Sequence, residues 1–94
     1  MEASKGLKVY VAVKADFRED GIMIPREITW EDGEKFAIDK IIDIRQAAAM
    51  KAGGQGDRYT IMVHGKQSYL FFERSTNLTG NNIGRWFVER RHAN

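Results

Sequence analysis

The sequence contains no cysteine and only one proline among 94 residues. The absence of cysteine excludes disulfides, thiolate zinc sites and cysteine nucleophiles. Small secreted domains often depend on disulfides, so we expect this chain in the reducing cytoplasm. No apolar run is long enough for a signal peptide or a membrane span, and we therefore expect no membrane partner.

A strong charge of one sign is also missing, because the net charge is only +2. The charge is unevenly placed, at −1 over residues 1–56 and +3 over residues 57–94. Hydrophobic residues make up 43% and charged residues 30% of the chain, which is typical of a globular domain. The length allows one domain, and we expect residues 1–94 to form it, with an ordered core over about 7–90 and frayed termini.

Apolar and polar residues alternate in short runs that are broken by glycine, which is the pattern of β-strands. The first run places one face at Leu7, Val9, Val11 and Val13, and the other at Lys8, Tyr10 and Lys14. The apolar residues of the next two runs are Ile22, Ile24, Ile28 and Trp30, followed by Phe36, Ile38, Ile42 and Ile44. Pro25 interrupts the second run, so that strand is expected at a sheet edge or with a bulge. The sequence predicts an all-β fold, either a small six-strand SH3-like or Sm-like barrel or a curled antiparallel sheet.

The turn at Asp32 and Gly33 determines how the second and third runs pair. A two-residue loop would place Ile28 and Phe36 on opposite faces of the sheet. A three-residue loop over 31–33, with Gly33 in the left-handed conformation, pairs residue 28 with 36 and 30 with 34. We predict this bulged turn. It also predicts Ile22 opposite Ile42, Arg26 opposite Ile38 and Lys40 opposite Ile24.

The clearest hairpin surrounds His64 and Gly65, with either 64–65 or 65–66 as its loop. In both registers one face carries Tyr59, Ile61, Val63, Leu70 and Phe72, and the other carries Met62, Tyr69 and Phe71. Two apolar faces indicate a central hairpin or a second face that meets a partner. For residues 45–52 the alanine-rich sequence leaves two conformations open, extended or a short helix.

Four runs of this chain resemble a family of small uncharacterised bacterial proteins. The runs are residues 28–33 (ITWEDG), 36–45 (FAIDKIIDIR), 51–56 (KAGGQG) and 84–89 (GRWFVE). The resemblance implies a compact β domain and carries no activity with it.

No residue pattern points to catalysis. His64 and His92 lack neighbouring residues at ligand spacing, and Asp39 and Asp43 would lie about 13 Å apart along a strand. The glycines at 53–56 follow a lysine, whereas a phosphate-binding loop has its lysine after the glycines. We therefore expect that the protein is not an enzyme and that it binds no cofactor and no metal.

Basic and aromatic residues interleave in the second half of the chain, which is typical of surfaces that bind single strands. The leading hypothesis is a non-catalytic binding module that contacts nucleic acid or a nucleic-acid enzyme, so its partner is single-stranded nucleic acid or a protein. Its candidate residues are Arg58, Lys66, Tyr69, Arg85, Trp86 and Arg90. The alternative is a homo-oligomeric or adaptor domain that docks protein through Met62, Tyr69 and Phe71.

Overall fold

The structure is a computed structural model that describes residues 7–46, 56–74 and 83–90. Within these ranges the chain forms seven strands: β1 (Leu7–Phe17), β2 (Met23–Thr29), β3 (Lys35–Ala37), β4 (Lys40–Arg45), β5 (Asp57–Val63), β6 (Lys66–Arg74) and β7 (Gly84–Arg90). The all-β architecture is confirmed. The expected strand count of six is too low, because the run over 36–44 is split into β3 and β4. The helix alternative for 47–52, the glycines at 53–55 and the polar loop and tail at 75–82 and 91–94 lie outside the described residues.

The strands form one antiparallel sheet in the order β3-β2-β1-β7-β6-β5-β4. The two strands at its edges, β3 and β4, are consecutive in the chain. Between them the Ile38 N–H donates to the carbonyl of Arg26 at 2.9 Å, and the Asp39 N–H donates to that of Met62 at 2.8 Å. Neighbouring residues thus bond to opposite ends of the sheet, which curls into a half-barrel.

The bulged turn predicted at Gly33 is confirmed, and the later hairpin adopts one of the two registers that the sequence left open. Ile28 lies opposite Phe36, and the Trp30 N–H donates to the Glu34 carbonyl at 2.7 Å. Gly33 has a φ of 91°, as the bulged turn requires. In the later hairpin Val63 lies opposite Lys66, so the loop is 64–65. His64 and Gly65 both have positive φ, which is the geometry of a type I′ turn.

Two bulges overturn part of the predicted face assignment. The β1–β2 register shifts where Lys14 faces Glu27 and Ala15 faces Pro25, which leaves Arg26 as the extra residue. Because one extra residue reverses the alternation, Met23 packs on the core cluster and Ile24 is buried outside it. The bulge near Pro25 was one of the two outcomes expected for that strand.

The second bulge lies in β4, where Ile41 faces Ile61 and Asp43 already faces Thr60. Ile42 is the extra residue and is exposed, while Ile41 packs on the core. The predicted pairs Ile22–Ile42 and Lys40–Ile24 are therefore wrong, since β4 pairs with β5 instead of β2. Arg26 and Ile38 do meet, through the backbone hydrogen bond described above.

The core lies on the concave side of the sheet and is rich in aromatic residues. Its buried cluster comprises Ile28, Tyr59, Ile61, Leu70, Phe72 and Trp86. The Trp86 ring centroid is 5.2 Å from that of Tyr59 and 4.9 Å from that of Phe72. The Tyr59 hydroxyl donates to the Met23 carbonyl at 2.7 Å, and burial raises the pKa of this tyrosine. This cluster confirms the face predicted for the β5–β6 hairpin.

Candidate functional site: an open groove between β6 and β7

Strand β6 has different neighbours along its length. Its second part, residues 71–74, pairs with β7 from Phe71 opposite Phe87 to Arg74 opposite Gly84. Its first part, residues 66–70, pairs with β5 and with no other described residue. The far part of β7, residues 88–90, pairs in turn only with β1 among the described residues. The two strands therefore separate beyond Phe71 and Phe87.

The direction of the backbone groups in β6 follows from the turn beside it. Val63 and Lys66 flank a two-residue turn and so exchange hydrogen bonds with each other. Hydrogen-bonded and non-hydrogen-bonded pairs alternate along an antiparallel ladder. Gln67 and Tyr69 therefore direct their N–H and C=O groups away from β5, toward the gap. Such an edge presents donors and acceptors that a further strand can pair with.

An open groove of about 550 Å³ lies at this separation. Its apolar lining comprises Ile28, Trp30, Phe36, Ile61, Val63 and Val88. Two hairpin tips meet beside it, since the Phe36 and His64 rings make an edge contact with centroids 5.8 Å apart. The volume falls in the usual range for ligand sites, which are mostly apolar with a few polar groups.

The polar lining of the groove comes from the two turns and the strand ends. It comprises Asp32, Glu34, His64, Lys66, Ser68 and Glu89. The Asp32 side chain accepts a hydrogen bond from the Glu34 N–H at 2.9 Å, which holds the turn between β2 and β3. Beside the groove, Arg90 pairs with Glu31 and its guanidinium lies 5.4 Å from the Trp30 ring centroid. Asp32 and Glu34, in the turn between β2 and β3, therefore form an acidic edge of the apolar groove. We call this edge the acidic lip.

A second cavity of about 540 Å³ lies beside Tyr59 and Met23. Backbone groups are less available there, because Tyr59 pairs with Ile44 on one side and with Leu70 on the other. Two charged residues that line this cavity also pair with each other, since Arg74 and Asp57 form an ion pair at 3.1 Å. We therefore regard the groove between β6 and β7 as the better candidate site.

The candidates chosen for nucleic-acid binding do not form one surface. Arg58, Tyr69 and Arg85 lie on the convex side of the sheet, which we call the outer face. Lys66 lines the groove, and Arg90 lies beside it in an ion pair. Trp86 is withdrawn as a candidate for nucleic-acid binding, because only 8% of it is exposed and its ring packs in the core. A base cannot stack on a ring in that position.

The outer face holds two arginine–tyrosine pairs. The Arg58 guanidinium lies 4.9 Å from the ring centroid of Tyr69, and that of Arg85 lies 3.9 Å from the ring centroid of Tyr10. Tyr69 is 44% exposed and Tyr10 is 40% exposed. Tyr10 was not among the sequence candidates, although its alternation with Val9 and Val11 had placed it on this face.

Glu73 organises the charges beside Tyr10. Its carboxylate accepts hydrogen bonds from Lys8 and from the Tyr10 hydroxyl, both at 3.0 Å, and from Arg85 at 3.3 Å. The hydrogen bond from Lys8 is the largest cause that lowers the pKa of Glu73, and the same bond raises the pKa of Lys8. These contacts join β1, β6 and β7 and neutralise part of the local positive charge.

The second apolar face of the β5–β6 hairpin is less open than the protein-docking alternative needs. Phe71 is buried and stacks on Phe87, with ring centroids 4.9 Å apart. Met62 is half-buried, and only Tyr69 of the three is well exposed. Phe71 is therefore withdrawn as an interface candidate, because contacts within the chain already cover it.

Comparisons with known proteins add no assignment. No family model matches the chain, and neither a curated protein nor a solved structure shows significant similarity to it. Among the described residues, no helix is long and apolar enough to cross a membrane. The described part of the chain also brings together no group of three or more His, Cys, Asp or Glu side chains that could hold a metal ion.

Proposed function

We propose that this protein is a non-catalytic, cytoplasmic binding module that holds an extended polypeptide segment in the groove between β6 and β7. One observation carries the proposal: an apolar groove lies where the sheet loses its β6–β7 pairing. Peptides that add a strand to a sheet gain affinity from backbone hydrogen bonds and specificity from alternate side-chain pockets. The edge at Gln67 and Tyr69 supplies the first, and the floor at Ile28, Ile61 and Val88 supplies the second.

The length of the free edge limits what the groove holds. Residues 66–70, which pair with β5 alone among the described residues, form the longer edge, and at 3.3 Å per residue they span about 13 Å. A segment of about four residues therefore fits along β6. Alternate side chains of that segment would face the apolar floor, while the others would face solvent.

The proposal is tested with the full chain and a short peptide of alternating valine and threonine. We expect the peptide to shift the amide NMR signals of Ser68 and Val88, with little change at Phe17 and Asp20 in the remote β1–β2 region. Gln67→Pro removes an N–H that points into the gap, and it should weaken binding about two- to tenfold, as expected for one hydrogen bond.

Gln67→Ala is the matched control, because it removes the same side chain and keeps the N–H group. It should bind the peptide as the unaltered protein does. Equal weakening by alanine and proline would contradict pairing along β6, and a peptide that shifts no groove signal would remove the proposal.

Single-stranded nucleic acid is the second candidate ligand, and the two arginine–tyrosine pairs of the outer face favour it. Stacking of a base on an aromatic ring contributes about 1–3 kcal/mol, so Tyr10→Ala with Tyr69→Ala should weaken binding of a labelled thymidine oligonucleotide strongly. Binding should also fall steeply as salt rises. If the oligonucleotide does not bind at low salt, this candidate is excluded.

Self-association through Met62 and Tyr69 is the competing proposal for a protein contact. It predicts a mass above that of one chain in light scattering at high protein concentration. A strictly monomeric species would exclude it.

A further inference from the structure

The charges around the groove are mostly negative, although the whole chain carries a net charge of +2. Three carboxylate residues line it, Asp32, Glu34 and Glu89, against one ammonium group at Lys66. Within the described part of the chain, neither Asp32 nor Glu34 forms an ion pair. The nearby cation Arg90 is already engaged by Glu31. The acidic lip therefore carries two carboxylates that form no ion pair with another described residue.

The lip lies at one end of the groove. It is the turn that joins β2 to β3, held by the hydrogen bond from the Gly33 N–H to the Trp30 carbonyl at 2.9 Å. The apolar floor begins directly beside it, at Trp30 and Ile28. A strand lying along β6 with apolar side chains on this floor would place one end near the two carboxylates.

We infer that the groove selects an extended segment of a partner protein that carries a lysine or arginine at the end facing Asp32 and Glu34. The inference rests on the proposed function and adds the chemistry of the partner. Complementary charges at the edge of an interface contribute mainly to specificity and to the rate of association. An acidic segment or a nucleic-acid backbone would be repelled at this lip.

The chain provides a matched control for the charge of the lip. The turn between β1 and β2 also contains adjacent acidic residues before a glycine, Glu19 and Asp20 before Gly21. In that turn Asp20 accepts a hydrogen bond from the Ile22 N–H at 3.1 Å, as Asp32 does from Glu34. This turn does not line the groove. The double variants Asp32→Asn with Glu34→Gln and Glu19→Gln with Asp20→Asn therefore remove equal charge from equivalent turns.

The experiment compares three probe peptides by fluorescence anisotropy with the full chain. Each alternates valine with threonine and carries a lysine, a threonine or a glutamate as the residue at both ends. We expect the order lysine, threonine, glutamate in affinity. The groove double variant should weaken lysine-peptide binding about three- to tenfold, since exposed ion pairs contribute modestly. It should leave the threonine peptide unchanged, and the control double variant should change neither peptide.

Salt gives a second measurement of the same effect. The preference for lysine over threonine should shrink from low salt to about 1 M salt, where the Debye length is about 3 Å. A preference that does not depend on salt would contradict a role for the lip.

The outcomes separate this inference from the proposed function. Equal binding of the lysine and threonine peptides, or equal weakening by both double variants, would overturn charge selection and leave the groove as a peptide site. A preference for the glutamate peptide would overturn it as well. Failure of all three peptides to bind would remove the proposed function together with the inference.

Discussion

The two parts of β6 have different neighbours, and they show how one strand can contribute both to the core and to an exposed edge. Residues 71–74 have β5 or β7 as neighbours and include Phe72, which packs against Trp86 in the core. Residues 66–69 are exposed and pair with β5 alone within the described residues. Leu70, with none of its surface exposed, marks the boundary. We call these parts the closed part and the open part of β6.

The difference indicates that the open part is held in place by the closed part. An isolated hairpin is marginally stable in water, whereas a strand with two neighbours and a buried face is stable. The buried scaffold at Phe72 and Leu70 therefore fixes the position of an edge whose other side pairs with no described residue. This arrangement suits a binding site, because the exposed backbone is ordered before a ligand arrives.

The largest expected effect tests the closed part. Phe72→Ala removes a buried ring from the core cluster and should lower the free energy of unfolding by about 3–5 kcal/mol. Gln67→Ala in the open part should change it by less than about 0.5 kcal/mol. Urea unfolding measures both values. Losses of similar size at the two positions would contradict the division of β6.

A smaller effect tests the direction of the backbone groups in the open part. The Ser68 N–H points toward β5, so Ser68→Pro should leave an acceptor in β5 without its donor, at a cost of about 1–3 kcal/mol. Gln67→Pro should cost clearly less, because its N–H faces the gap and proline is tolerated along free edges. The free energies of unfolding of the two proline variants test the direction of these backbone groups. A larger loss for Gln67→Pro would mean that the alternation of bonded pairs is the reverse of that described.

The smallest effect concerns the charges that join the closed part to β1 and β7. The lowered pKa of Glu73 means that its contribution is present above the ordinary value of 4.5 and is lost as pH falls through the lowered value. The raised pKa of Lys8 means that its contribution is present below 10.5 and is lost as pH rises through the raised value. The pair therefore stabilises the fold between these limits.

Glu73→Gln should accordingly lower the free energy of unfolding at pH 7 by about 0.2–1 kcal/mol, as expected for exposed ion pairs. The difference from the unaltered protein should shrink as pH falls through the lowered pKa of Glu73, because the carboxylate becomes protonated. Urea unfolding over a pH series measures it. A difference that does not change with pH would assign the effect to packing instead of charge.

Local chemistry made several parts of the fold predictable. Gly33 fixed the register of one hairpin, and the turn near His64 fixed the faces of another, because both of its possible two-residue loops align the same faces. That alignment placed Tyr59, Ile61, Leu70 and Phe72 on one face, which is buried in the structure. Alternation also placed Tyr10 on the outer face, where its exposed ring meets Arg85.

Other features depend on contacts that a strand pattern does not contain. The bulge at Ile42 exposes that residue and packs the half-buried Ile41 against the core. Its only sequence signal was two adjacent isoleucines of equal hydrophobicity. Trp86 and Phe87 are both buried. Because both are aromatic, the type of side chain alone could not show whether either ring lies in the core or at the surface. The groove was missed because its lining comes from five strands and two turns that are distant in sequence.

By itself the sequence determined the strand alternation, the glycine turns and which residues of the β5–β6 hairpin share a face, since these follow from local backbone preferences and a period of two. Tertiary structure decided which strands become neighbours, where the chain bulges and where β6 and β7 separate. Those features depend on the curvature of the whole sheet, because that curvature sets how far each strand can follow its neighbour.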